Sequence, residues 1–127
     1  MAITDSVAIR QGKTNLAVDA IDAGSGTATG KLVYQTTGLA TVATADFANP
    51  AFGAANGSAL ATANAIEDAL VTADGTVAKF KVIDRDGTTI FSGTVTAVSG
   101  GGDIELTHLD FLEDDIIRTE SLTYQSP

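Results

Sequence analysis

The 127-residue chain reads as a mainly β, single-domain protein, an antiparallel β-sandwich or barrel of about seven strands with one short N-terminal α-helix. Three observations predict that class. Apolar residues recur at every second position through most of residues 31–125, the period of half-buried strands. Clusters of Gly, Asn, Asp and Thr interrupt that period at the regular spacing of sandwiches and barrels. Only residues 14–23 carry a helical pattern.

Residues 1–13 read as an N-terminal arm, with Ile3, Val7 and Ile9 at near-alternating spacing beside Arg10 and Lys13. The β domain then spans 14–127. In its helix, 14–23, Thr14 can cap the start, Leu16, Ala17, Ala20 and Ile21 share a face, and Gly24 suits a left-handed C-cap. Gly24 to Gly30 is a flexible connector. Lys31–Thr36 and Leu39–Phe47 are strands joined at Thr37-Gly38, and Asn49-Pro50 ends the second, because proline has no amide to give a ladder. Ser58–Ile66 places Ala59, Ala61, Ala63 and Ala65 on one side, which suits a close approach by another sheet or subunit.

The clearest element is the hairpin of Thr76–Ile83 and Thr88–Thr96 about Asp84-Arg85-Asp86-Gly87. Phe80, Val82, Phe91 and Val95 share its inward face and are the expected central core; Lys79 and Lys81 face out. Gly100-Gly101-Gly102 turns into Ile104–His108, residues 109–115 form an acidic loop, and Ile116–Gln125 is the last strand, bulged around Arg118–Glu120.

Composition excludes several function classes. With no cysteine, disulfides, thiolate metal sites and cysteine nucleophiles are ruled out. No apolar run reaches the length of a membrane span, and the first residues lack the basic leader and apolar stretch of a signal peptide, so assembly in a cytoplasm is expected. A net charge of −9 with only seven Lys and Arg argues against nucleic acid, whose phosphates need a basic face. The acid concentrates near the C-terminus, in Asp103, Glu105, Asp110, Glu113, Asp114, Asp115 and Glu120 against Arg118 alone. Such a cluster is either a solvated face or a complementary surface for a basic partner.

No motif for catalysis or cofactor binding holds together. His108 is the only histidine and follows Ile104 and Leu106 in phase, the pattern of a packed residue rather than a general base. Gly26 to Lys31 imitates a phosphate loop, but Ser25 stands where its first glycine belongs, Leu32 follows the lysine, and a strand replaces the required helix. Asp84–Gly87 imitates a calcium loop, but Thr89 and Val95 occupy the obligatory glycine and glutamate positions. Turn chemistry accounts for its aspartates. A carboxylate pair for glycoside hydrolysis would lack aromatic platforms, with two Tyr, five Phe and no Trp in the chain. The expectation is a non-enzyme with no cofactor and no metal.

Asp46-Phe-Ala-Asn-Pro-Ala-Phe-Gly-Ala-Ala-Asn-Gly57, Ala61–Ile66, Gly75–Thr89, Ser121–Tyr124 and Ala20–Gly24 together resemble a family of small structural proteins encoded by tailed bacteriophages and prophages. The resemblance runs over most of 14–124; Lys79, Lys81 and the acidic 109–115 loop depart from the family pattern. It implies a virion protein assembled in the bacterial host, first a capsid decoration or cement protein on the major-capsid lattice. The alternatives are a tail, neck or fibre-associated protein, or a receptor- or sugar-binding β module. Implied partners are the major capsid protein or other virion subunits, in a homo-oligomer or symmetric array, without nucleic acid or membrane. The candidate docking arm is Ile3, Val7, Ile9, Arg10 and Lys13, adding by strand addition to a neighbour or to its own sheet, and the candidate acidic contact loop is Asp110, Glu113, Asp114 and Asp115.

Overall fold

The computed structural model describes residues 6–119 and 122–125. One helix, α1 (Val7–Ala20), precedes strands β1 (Lys31–Gln35), β2 (Thr41–Asp46), β3 (Leu60–Thr62), β4 (Ala69–Val71), β5 (Gly75–Thr76), β6 (Lys79–Ile83), β7 (Thr89–Ala97), β8 (Ile104–Leu106), β9 (Asp110–Phe111), β10 (Ile116–Ile117) and β11 (Thr123–Gln125). Seven strands form one curled half-barrel sheet in the order β10-β4-β2-β1-β6-β7-β8, and β11-β3 and β5-β9 are separate two-stranded ribbons. The mainly β single domain with one helix is therefore as expected.

The alternation read from the sequence builds the core. Val71, Ala43, Tyr34, Phe80 and Gly93 stand opposite one another across β4, β2, β1, β6 and β7. Large side chains thus sit beside small ones, which lets a layer of few big residues pack densely. Next along lie Ala45, Leu32, Val82 and Phe91. Gly93 is required where it stands: an added Cβ would come within 2.7 Å of the Phe80 ring. Phe80, Val82 and Val95 are buried as expected, whereas Phe91 is only half-buried, edge-on to Phe80 at 6.4 Å and against Tyr124 of β11 at 4.6 Å.

The N-terminal arm is corrected. Ser6 caps α1 by accepting from the Ile9 amide at 3.3 Å, so residues 7–13 are helical and the helix begins seven residues before the expected position 14. Of the expected face Ile21 is buried and Ala17 and Ala20 are half-buried, but Leu16 is 75% exposed, and Thr14 and Val18 are buried in its place. The face turned inward mixes Val18 and Ile21, both in the core, with polar side chains. Gln11 donates to the Asn56 carbonyl (2.8 Å), Thr14 to the Ala59 carbonyl (2.7 Å), and Asn15 and Asp22 accept from the Ala55 and Ala51 amides. These side chains satisfy the backbone of the irregular segment 51–59, which no ladder could serve. The close approach on the alanine stripe is intramolecular: Ala59 and Ala61 are buried beneath α1 and opposite Tyr124, while Ala65 is exposed.

One hairpin loop occurs three times, at Thr36–Ala40, Asn56–Leu60 and Asp84–Thr88. In each, the first residue's carbonyl accepts from the fourth residue's amide, and its own amide donates to the fifth residue's carbonyl. In each, a Thr, Asn or Asp side chain at the first position also accepts from the fifth residue's amide. The fourth residue must take a positive φ, and Gly87 does so at 90°, but Leu39 (69°) and Ala59 (58°) hold it without glycine's freedom.

Other strands depart from expectation. β4 and β9 lie in segments where the sequence pattern predicts no strand. The last strand is two, β10 and β11, in different sheets, separated where Thr119 bonds the buried Tyr34 hydroxyl. β8 runs parallel to β7, although parallel neighbours ordinarily need a long crossover. Six residues make this return because Gly100 and Gly102 lie against Thr96 with no room for a Cβ, and Ser99 and Gly101 adopt positive φ.

Two outcomes follow from this packing and these loops. Phe80→Ala should cost about 3–5 kcal/mol in denaturant unfolding; a loss below about 1 kcal/mol would place the ring outside the core. Leu39→Gly should raise stability by about 0.5–1 kcal/mol, because relief of left-handed strain exceeds glycine's extra chain entropy. Gly87→Ala should lower it by about 1 kcal/mol in the same assay.

Candidate functional site

The two ends of the curled sheet border one cleft. β8 and β10 are its edge strands, and both line a cavity of about 530 Å³. The inward faces of Ile104, Leu106, Phe111 and Ile117, all buried, make an apolar floor. Asp103 and Glu105 stand on one rim and Arg118, paired with Asp68 at 3.3 Å, on the other. Beside the β10 edge an apolar patch is open to solvent: Ile116 (53% exposed) lies directly opposite Leu70 (51%), and Leu112 is 65% exposed in the adjoining turn.

The structure splits the expected docking arm. Ile3 lies outside the described residues, and Val7, Ile9, Arg10 and Lys13 lie on α1, so strand addition by residues 7–13 is excluded. What survives is an exposed apolar helix face. Ile9 and Leu16 are two turns apart on it, with Gly12 between them facing open space.

The acidic contact residues are neither a loop throughout nor one cluster. Asp110 belongs to β9 and accepts from the Thr76 hydroxyl at 2.5 Å. The Glu113 amide donates to Asp74 (2.7 Å), Asp114 takes φ 78° as a bulge opposite Val71, and Asp115 accepts from the Leu112 amide (2.8 Å). Among the described residues no three His, Cys, Asp or Glu side chains are grouped to hold a metal ion. His108 is exposed, with its ring stacked on Phe111 at 4.6 Å.

The connector expected to be flexible is bound to the β6–β7 turn. Asp86 accepts from the Ser25 and Gly26 amides at 3.1 and 2.9 Å, and Arg85 donates to the Thr27 carbonyl at 2.6 Å. Those two amides hold the Asp86 carboxyl below its ordinary pKa. Burial pushes Asp22 up, against the opposing effect of the Ala51 amide. Burial also pushes the Tyr34 phenol up to about 12, since the ring is sealed in the core.

No protein-family model, curated protein or solved structure matches the chain. The cleft is the feature that sequence reasoning missed. Its walls come from strands far apart in sheet order, and the run Gly100–Gly102 is the one local sign of an unusual return there.

Asp86 predicts a pH effect of definite sign. A lowered native pKa contributes stability that is present above about pH 4 and is lost as the pH falls through the native value. Asp86→Asn should therefore lower the urea midpoint at pH 7, and the gap to the parent should close in strong acid. Equal midpoints at pH 7 would show that the connector does not rely on this charge.

Proposed function

We propose that the chain is a non-catalytic structural protein of a tailed-phage particle, a decoration subunit that binds the assembled major-capsid lattice and stabilises it. The observation that carries this reading is how the exposed apolar residues are dispersed. Ile9 and Leu16 lie on α1, Leu70, Ile116 and Leu112 at the β10 end of the sheet, and Leu39 and Val98 in loops. A small-molecule site would gather such residues into one concavity. A subunit that bridges neighbours in a lattice needs several modest contact areas, whose strength comes from repetition by symmetry. The sequence resemblance to tailed-phage structural proteins supports the same reading, and the acidic surface suits basic patches on a neighbouring subunit.

Mass spectrometry of purified particles tests the assignment. A copy number in proportion to the major capsid protein is expected, together with a higher melting temperature when the chain is added to undecorated shells. Leu16→Lys should reduce occupancy while leaving the isolated domain's melting nearly unchanged, because that side chain is exposed. A handful of copies would move the chain to the tail or neck, and absence from particles would overturn the reading.

A further inference from the structure

We propose that the cleft between β8 and β10 is a strand acceptor for an extended, basic segment of a partner protein, which pairs with the two edges and closes the curled sheet. The backbone is set for it. The Leu106 carbonyl accepts from Val98 at 3.1 Å and so faces the β7 side, which turns the amide and carbonyl of Glu105 toward the cleft. On the opposite wall the Asp115 carbonyl accepts from Val71 at 2.8 Å, facing β4, which turns those of Ile116 toward the same space. Each edge therefore offers one donor and one acceptor to an incoming strand.

Size and chemistry select the occupant. A strand residue within a sheet fills roughly 160 Å³, from a rise of about 3.3 Å, a strand spacing of about 4.8 Å and a layer about 10 Å thick. About 530 Å³ then holds roughly three residues, matching the three-residue β8 and two-residue β10. Apolar side chains of that segment would meet the floor of Leu106, Phe111 and Ile117. Its alternate side chains would meet a rim where Asp103 and Glu105 stand across from Arg118, whose charge Asp68 already answers, so lysine or arginine is favoured on the β8 side. This inference stands on the cleft alone and is tested without a particle.

The probe is a short synthetic peptide of alternating lysine and valine, added to the full chain. Controls are the same peptide with glutamate for lysine and the lysine peptide with an N-methylated backbone. Saturable binding of the first peptide alone is expected, weakening with salt, with hydrogen exchange at the Glu105 and Ile116 amides slowed about tenfold. Glu105→Lys should weaken that binding about tenfold. No binding, equal binding of the glutamate or methylated peptide, or protection confined to other amides would each overturn the proposal. So would protection of the same two amides that grows with protein concentration without peptide, which would make a second copy the occupant.

Discussion

Tyr34 occupies the middle of the sheet with no exposed surface, and most of the structure answers to that placement. A wide ring in a thin core needs small neighbours, and it has Ala43 on one side with Phe80, itself opposite Gly93, on the other. Its hydroxyl cannot be left unpaired in such a place, and Thr119 supplies the partner. That bond draws the segment after β10 over the core and divides the C-terminal region into two strands of different sheets. A single side chain thus links the composition, rich in alanine and glycine, to the curl of the sheet and to the path of the last residues.

The helix shows how a polar face can be an inward face. Gln11, Thr14 and Asn15 follow helical spacing as regularly as an apolar stripe would, but their partners, like those of Asp22 just past the helix end, are carbonyls and amides of 51–59 rather than hydrophobic side chains. A search for apolar periodicity finds Ile21 correctly but adds Leu16, which is exposed, and leaves out the polar side chains that face inward. It also starts the helix too late, because Thr14 looks like a cap when its hydroxyl serves Ala59. Ser6 is the real cap, accepting from the Ile9 amide, but no apolar stripe at helical spacing follows it to mark a helix start.

Strands long enough to show alternation were legible: β1, β2, β6 and β7 fall where Leu32, Tyr34, Phe80 and Val82 point inward and Lys79 and Lys81 point away. β4 and β9 are three and two residues long, too short to establish a period, and exist because neighbouring strands recruit them. The loops divide in the same way. Asp84 to Gly87 advertises its turn because glycine stands at the left-handed position, whereas Leu39 and Ala59 hold that conformation only because the strands on either side impose it. The acidic residues near the C-terminus were legible as a charge cluster, but the cleft beside them was not. It arises from the curl that brings β8 and β10 to one space, a tertiary event with no local signature.

An open sheet with two free edges invites pairing with whatever strand arrives first, its own copies included. This chain meets that hazard with charge. Asp103 precedes β8 and Glu105 lies at its centre, Glu113, Asp114 and Asp115 lead into β10, and the whole molecule carries −9. Two copies approaching edge to edge would bring these carboxylates together in a region where Arg118 is the one cation and already has Asp68 as its partner. The same carboxylates impose no such penalty on a basic segment. Asp103 and Asp115, which accept from the Thr94 amide of β7 and the Leu112 amide, thus also set negative charge beside the two free edges, where it opposes edge-to-edge pairing between copies.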